Sequence, residues 1–196
     1  MKLLVASSNA GKLREYQALA AGTGFHLAPL PDFPSLPAFA EDAPTFAENA
    51  AGKAIHYSRF AVLPVVADDS GLVVPALEGA PGVRSARYAG PGSTDAANVQ
   101  KLLAELQEKQ VEDRRARFVC VLALAHAGNA RAVVSAWVAG TLIEEPRGSD
   151  GFGYDPVFLY QPLGKTFAEL RREEKSRISH RGQAFRKLLE SVASRR

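Results

Sequence analysis

Two long apolar stretches in the second half of the chain constrain the fold more than any other feature. Residues 117–127 and 131–141 are rich in Val, Ala and Leu, and Ala127, Gly128 and Asn129 separate them. This pattern is typical of two strands joined by a tight turn. The hairpin requires antiparallel pairing, whereas the rest of the chain alternates strands with helices. The sequence therefore predicts an α/β fold with a long mixed β-sheet flanked by helices.

The other predicted elements follow from apolar periodicity and from turn residues. Strands are predicted at residues 2–7, 25–30, 63–67 and 157–160, and helices at 12–21, 45–61, 94–109 and from about 179. Thr45 and Glu48 have the spacing of a capping box at the start of the second helix. Along that helix Phe46 and Ala50 belong to an apolar stripe, and Lys53 is predicted to point away from the core.

Composition limits the class of protein. The chain has 196 residues, of which 46% are hydrophobic and 23% are charged, which predicts one globular domain spanning residues 1–196. The N-terminal apolar run is too short for a signal peptide, and no run approaches the roughly 20 residues of a membrane span, so a cytoplasmic location is expected. The single cysteine, Cys120, lies in an apolar strand and is predicted to be buried.

The positive charge is concentrated at one end. The sequence pI is about 9.1. Residues 171–196 contain nine Lys or Arg against three Glu, a net charge of +6, so the other 170 residues carry −3 of the total of +3. A basic C-terminal helix could bind nucleic acid or phosphate groups, or it could simply aid solubility.

The segment SSNAGK, residues 7–12, lies between the first strand and the first helix. Backbone amides at a helix start favour anions, and Lys12 adds a positive charge, so the segment could hold phosphate. It lacks the two glycines of a Walker loop. A polar helix cap is the alternative interpretation.

Asp68 and Asp69 follow an apolar run and precede Ser70 and Gly71. Two carboxylates at a strand end could bind a divalent cation such as magnesium. Neighbouring side chains on a strand point to opposite faces, so only one of the pair would easily face a given site. The alternative is that Asp-Asp-Ser-Gly simply forms a turn.

Two later segments also combine residues suited to ligand binding. In GSDGFGYDP, residues 148–156, the aromatic side chains could stack on a planar base, or the segment could be a glycine-rich connector. In EEKSRISHRG, residues 173–182, four basic side chains lie around a predicted helix start, where cations oppose the helix dipole unless an anion is bound. There is no G-x-S-x-G elbow and the cysteine is predicted to be buried, which argues against a covalent serine or cysteine hydrolase.

Taken in order, SSNAGK, TFAENAAGKA, VADDSGLVVPALEGAPGVRSARYAG, GFGYDP and EEKSRISHRGQA resemble the inosine triphosphate pyrophosphatase family. The resemblance implies a magnesium-dependent homodimer that hydrolyses ITP, dITP and XTP to the monophosphate and pyrophosphate. It also implies two lobes with a substrate cleft between them. The chain departs from the family pattern at Ser7, where threonine is common, and at Ala43-Pro44, where a Thr-Gly pair is common.

The resemblance also implies roles for individual residues. Asp69 would be a metal-associated residue that accepts a proton from the attacking water, and Glu41 would be a second metal ligand. The substrate-binding residues implied are Ser7, Ser8, Asn9, Ala10, Gly11, Lys12, Lys53, Ser70, Phe152, Gly153, Tyr154, Asp155, Lys175, Ser179, His180 and Arg181. Of these, Ser7, Asn9, Lys12 and Lys53 would hold the triphosphate, Ser70 would contact the substrate, and those from Phe152 onward would form the base pocket.

Two other functions remain open from the sequence. A nucleic-acid-binding module could use the basic C-terminal helix and the loop aromatics, although the acidic remainder of the chain argues against it. A nucleotide sensor could bind the triphosphate without cleaving it, and the presence of Asp69, Lys12 and Lys53 argues against that alternative.

Overall fold

A computed structural model describes residues 1–194 and shows a seven-stranded sheet in the order β2-β1-β3-β4-β5-β6-β7. The strands are β1 (Lys2–Val5), β2 (His26–Pro29), β3 (Val65–Val73), β4 (Arg115–His126), β5 (Asn129–Leu142), β6 (Phe158–Tyr160) and β7 (Lys165–Thr166). Strand β1 pairs in parallel with β2 and β3, whereas β6 pairs antiparallel with β5 and β7. The prediction of a mixed sheet is therefore confirmed.

The helices within residues 1–194 are α1 (Ala10–Ala20), α2 (Phe46–Tyr57), α3 (Asp95–Glu108), α4 (Arg172–Ile178) and α5 (His180–Ala193). The first three begin at polar caps. Asn9 accepts a hydrogen bond from the Lys12 amide, Thr45 from the Glu48 amide, and Thr94 from the Ala97 amide. Each cap satisfies an amide that would otherwise lack an intrahelical partner, so these starts were predictable from the sequence.

The predicted hairpin is present as β4 and β5. Its turn residues Ala127 and Gly128 both have positive φ angles, 50° and 76°. Two consecutive positive φ angles define the two-residue turn whose twist matches that of paired strands. Cys120 lies on β4 and is fully buried, as predicted, and burial raises the pKa of its thiol to about 12.

The chain divides into two compact units. The first comprises residues 1–69, 120–136 and 181–196, and the second comprises residues 70–119 and 137–180. In the first unit one apolar cluster includes Tyr16 and Phe185, from α1 and α5, and another includes Ala50 and Ala54 from α2. The second unit has a cluster around Leu102 of α3. That residues 1–196 act as one bilobed domain with a cleft stays a prediction.

The segment after the paired aspartates differs from the prediction. Ser70 and Gly71 do not turn the chain, because β3 continues to Val73. A Cβ on Gly71 would lie 2.3 Å from Ser85 Oγ and 2.5 Å from the Gly82 carbonyl oxygen. The Ser85 hydroxyl also accepts a hydrogen bond from the Leu72 amide at 2.9 Å. Gly71 is therefore needed for close approach of the segment around Ser85 and not for a turn.

Two further predictions were incomplete. Sequence periodicity placed one C-terminal helix, whereas the structure has the short α4 before α5, separated at Ser179. Lys53 was predicted to point away from the core, yet only 8% of it is exposed. In residues 1–194 we find no helix that is both apolar enough and long enough to cross a membrane.

Candidate active site

In the first unit, residues 7–12 comprise the end of the loop after β1 and the first turn of α1. The Ser7 hydroxyl accepts a hydrogen bond from the Asn9 amide at 3.2 Å, and the Asn9 side chain accepts one from the Lys12 amide at 3.0 Å. Ser8 precedes this cap, and Ala10 and Gly11 form the first helical turn. The segment is thus a polar helix start, which leaves its proposed phosphate-binding role open because the same geometry favours anions.

Asp68 lies at the centre of a buried charge network in this unit. Its Oδ2 atom is 2.8 Å from Lys12 Nζ and 4.0 Å from Arg181 Nε. Arg181 also donates to Glu15 of α1, with Nη1 and Oε2 2.5 Å apart. Burial alone would raise the pKa of Asp68, but Lys12 and Arg181 outweigh it and hold the pKa at about 2. Asp68 is therefore a charged structural partner that fixes two cations.

Asp69 has different partners. Its Oδ2 atom accepts a hydrogen bond from the Asn49 side chain of α2 at 2.9 Å. Burial raises the pKa of Asp69 to about 6, and the negative charges of Glu41 and Asp68 add to that rise although Asn49 and Lys12 oppose it. A carboxylate that changes protonation near pH 6 is suited to accept a proton near neutral pH.

Glu41 and Lys53 form the remaining pair of this group. Lys53 Nζ lies 2.6 Å from Glu41 Oε1. Burial would lower the pKa of Lys53, but the carboxylates of Asp68 and Glu41 raise it, so the side chain stays charged. The first unit therefore brings Lys12, Lys53, Glu41, Asp68 and Asp69 into one electrostatically coupled group, together with Arg181.

Asn49 and Glu15 were not predicted as site residues. Asn49 is fully buried, and besides Asp69 it bonds both the amide and the carbonyl of Ala43. One sequence signal could have identified it: Asn49 and Lys53 are four residues apart on α2 and so lie on the same helix face. For Glu15 the corresponding signal is its position three residues after Lys12.

In the second unit, the segment 148–156 has the special backbone that its glycines suggest. Gly148, Gly151 and Gly153 have φ angles of 83°, 82° and 62°. A Cβ on Gly151 would lie 2.1 Å from Asp155 Oδ2, so a side chain there would displace the Asp155 carboxylate. Asp155 is 2% exposed and accepts a hydrogen bond from the Phe152 amide at 2.9 Å.

The structure brings Phe152, Asp155 and Lys175 together. Lys175 Nζ lies 2.6 Å from Asp155 Oδ2 and 5.1 Å from the centre of the Phe152 ring. Tyr154 is buried and donates its hydroxyl hydrogen bond to the Ser85 carbonyl oxygen at 2.9 Å, and burial raises its pKa well above the usual range. A cation, a buried carboxylate and an aromatic ring at such distances can form one side of a polar pocket.

The remaining predicted residues have more separate positions. His180 stacks on Phe118, with ring centres 4.8 Å apart and ring planes within 11°. Ser179 ends α4 and donates its amide hydrogen to the Lys175 carbonyl. Ser70 lies on β3, directly after Asp69. Arg181 was expected with the base-pocket residues, but it pairs within the first unit.

The dipole argument made for the basic segment was partly wrong. Lys175 and Arg177 occupy the last turn of α4, where positive charge complements the helix dipole. They are therefore stabilised locally without a bound anion. A helix of only seven residues has too few apolar positions for its pattern to be separated from that of the next helix. The sequence therefore did not show that Lys175 and Arg177 lie at the end of a helix.

Comparisons with known proteins identify the family of the chain. The model of the Ham1 family matches residues 3–191. The chain belongs to the Ham1 family. The family resemblance drawn from the sequence motifs is therefore confirmed.

Close relatives of this Ham1 protein span nearly its whole length. It is 54% identical to a dITP/XTP pyrophosphatase of Geobacillus kaustophilus, covering 95% of this chain and 92% of the relative. It is 50% identical to a dITP/XTP pyrophosphatase of Syntrophobacter fumaroxidans, covering 95% of this chain and 79% of the relative. A solved HAM1 protein of Coxiella burnetii is 42% identical, with a TM-score of 0.88 and 99% of each chain covered.

Proposed function

We propose that this protein hydrolyses deaminated purine nucleoside triphosphates, namely ITP, dITP and XTP, to the nucleoside monophosphate and pyrophosphate. Relatives that carry the name dITP/XTP pyrophosphatase match almost the entire chain. The observation that carries the proposal is the environment of Asp69, a buried carboxylate with a pKa of about 6 beside a pair of lysines. Such a group can take a proton from water while the lysines stabilise phosphate charge.

In this proposal the first unit supplies the phosphate chemistry. The amides and hydroxyls of Ser7 to Gly11 and the ammonium groups of Lys12 and Lys53 bind the triphosphate. Asp69 accepts the proton of the water that attacks the α-phosphorus, and the bond from that phosphorus to the bridging oxygen breaks. Pyrophosphate then leaves with that oxygen, so no covalent intermediate on the protein is needed. Asn49 orients the Asp69 carboxylate through its 2.9 Å hydrogen bond.

The residues of this unit also fit a magnesium ion. Glu41 and Asp69 offer the carboxylate oxygens that magnesium prefers, and the negative charge of Glu41 adds to the effect of burial in raising the pKa of Asp69. Among residues 1–194 no group of three His, Cys, Asp or Glu side chains could hold a metal by itself, which fits an ion that takes further ligands from phosphate and water. Bound magnesium would supply positive charge to the phosphates and would oppose the burial and the repulsion that raise the pKa of Asp69.

The second unit supplies base recognition in the same proposal. A purine ring would stack on Phe152, and the Lys175 ammonium group would donate to the 6-oxo group of hypoxanthine or xanthine. His180, Ser179, Tyr154 and Ser70 would complete the contacts predicted from the family motifs. Adenine carries an amino donor at the same position, so its N–H groups would face the ammonium group that Asp155 already holds. Two donors placed against each other in a buried site cannot bond, and a mismatch of that kind discriminates strongly.

One assay tests the proposal. Purified protein is incubated with magnesium and each of ITP, dITP, XTP, ATP and GTP, and the products are separated so that pyrophosphate and orthophosphate are measured independently. We expect pyrophosphate from the first three substrates and little turnover of ATP or GTP. Orthophosphate as the main product would show cleavage at the γ-phosphate and would contradict the proposal, as would binding of ITP without turnover.

Two further points belong to the proposal. We expect a homodimer, which light scattering on the purified protein would test at several concentrations. A substrate drawn from the nucleotide pool would place the activity in the cytoplasm.

A further inference from the structure

Asp95, outside every predicted site, contacts the loop that carries Phe152. It is the first residue of α3, directly after the N-cap Thr94, and its side chain is exposed to solvent. Its Oδ2 atom accepts a hydrogen bond from the Gly153 amide at 2.7 Å, across 58 residues of sequence. This contact ties the start of a well-formed helix to a glycine-rich segment.

The contact matters because of what holds the other side of Phe152. The amide of Phe152 itself donates to Asp155 Oδ2 at 2.9 Å, and the next amide, that of Gly153, donates to Asp95. The two peptide groups that flank the Phe152 Cα are thus each held by a carboxylate. Together they restrict the φ and ψ angles of Phe152 and hence the direction of its ring.

We propose that Asp95 is a positioning residue that, together with Asp155, clamps the backbone of Phe152 so that its ring is preset to stack on the purine. The inference rests on the proposed function, because the stacking partner is the substrate base. Gly153 has a φ angle of 62°, in a region open to glycine, and the flanking glycines give the loop little stiffness of its own. A flexible loop would lose affinity through ordering, and a preset one avoids that loss.

The two carboxylates that hold the Phe152 backbone differ in their exposure to solvent. Asp155 is buried and neutralised by Lys175 at 2.6 Å, so its replacement would disturb the pocket directly. Asp95 is exposed, and its negative charge at the N-terminus of α3 complements the dipole of that helix. Asp95 can therefore be replaced with little effect on packing, which makes it the better probe of the clamp.

The experiment compares Asp95→Ala with Asp95→Asn and Thr94→Ala. The asparagine variant keeps an acceptor oxygen, whereas Thr94→Ala removes the cap of the same helix, which accepts from the Ala97 amide, and leaves the Gly153 contact in place. For Asp95→Ala we expect KM for ITP to rise about tenfold with kcat within about twofold, and for Asp95→Asn a rise of about threefold. Inhibition by inorganic tripolyphosphate, which has no base, should be unchanged in all three variants.

Amide hydrogen exchange of residues 148–156 in the substrate-free protein gives a readout that does not depend on turnover. Exchange at Gly153 should be faster in Asp95→Ala than in Thr94→Ala. The inference would be overturned if Asp95→Ala and Thr94→Ala showed the same exchange at Gly153 or the same KM for ITP. It would also be overturned if Asp95→Ala weakened inhibition by tripolyphosphate as much as it raised KM for ITP. A wild-type protein that leaves ITP, dITP and XTP intact would instead overturn the proposed function, and the exchange result would then decide the clamp alone.

Discussion

Three charged candidate residues of the first unit lie on helices and a strand, whereas the candidate stacking residue of the second unit, Phe152, lies in a loop. Lys12, Lys53 and Asp69 are held by α1, α2 and β3, and these residues are coupled by charge: Lys12 opposes the rise in the pKa of Asp69, and Asp69 contributes to the raised pKa of Lys53. Phe152 itself is part of no strand or helix, and two side-chain carboxylates hold its backbone. The first arrangement suits charge that develops during a reaction, and the second suits recognition of a planar group.

The largest expected effect is the difference in kcat between a variant of the first unit and a variant of the second. Asp69→Asn removes the proposed proton acceptor with little change in shape, so we expect kcat for ITP to fall about a thousandfold. Phe152→Ala removes the proposed stacking partner, so we expect KM to rise about tenfold while kcat is largely kept. Steady-state kinetics with ITP and magnesium measures both, and circular dichroism spectra confirm that each variant is folded.

The comparison would fail in either of two ways. Substantial turnover by Asp69→Asn would falsify the role of that carboxylate. A loss of kcat in Phe152→Ala as large as that in Asp69→Asn would show that the second unit takes part in the chemistry and not only in binding.

The two aspartates show how far the sequence could lead. Alternation along a strand predicted that Asp68 and Asp69 have different environments, and they do: Asp68 pairs with Lys12, whereas Asp69 accepts from Asn49. The opposite shifts of their pKa values could not be predicted, because they depend on Arg181 and Glu41, which are distant in the sequence. The local sequence pattern thus predicts which way each side chain points, whereas the charges around each carboxylate are set by the tertiary fold.

Gly71 shows the converse case, in which a local signal was misleading. Ser-Gly after two aspartates is typical of a turn, yet β3 continues through it, and the segment around Ser85 lies close to the Gly71 backbone. A glycine that permits a turn and a glycine that permits close approach look identical in sequence. The pairing of Arg181 with Glu15 could not be predicted from local sequence either, since the two residues are 166 positions apart.

The second prediction compares a glycine from each unit. In Gly71→Ala the new Cβ would meet Ser85 Oγ at 2.3 Å and the Gly82 carbonyl oxygen at 2.5 Å, so we expect a loss of about 3 kcal/mol in the free energy of unfolding. Gly52 lies within α2, and a Cβ there would meet the Phe39 ring at 2.6 Å. That ring can move, and alanine favours the helix, so Gly52→Ala should change stability by less than about 1 kcal/mol.

Urea unfolding followed by circular dichroism measures both variants. The two variants should differ because the new Cβ in Gly71→Ala meets backbone, which cannot shift easily. In Gly52→Ala it meets the end of the Phe39 side chain, which can rotate away. Equal losses in the two variants would show that the segment around Ser85 adjusts as easily as the Phe39 ring does.

The smallest expected effect is a pH dependence that belongs to Asp69 alone. Its pKa is about 6 in the folded protein against 3.8 for an ordinary aspartate. Between these values the folded protein holds a proton that the unfolded chain has lost, so raising the pH favours unfolding. Metal-free wild-type protein should therefore lose about 2 kcal/mol relative to Asp69→Asn as the pH rises from 4 to 7.

Asp68 has the opposite sign and a different window. Its pKa is about 2 in the folded protein, so its stabilising contribution is present above about pH 4 and is lost as the pH falls toward 2. Between pH 4 and 7, therefore, Asp69 changes protonation in the folded protein and Asp68 does not. Urea unfolding of the wild type and of Asp69→Asn across this interval, with a chelator present, measures the contribution of Asp69. Parallel pH profiles would show that Asp69 ionises normally in the folded state. Saturating magnesium should flatten the difference, because a cation beside the carboxylate favours the ionised form that burial opposes.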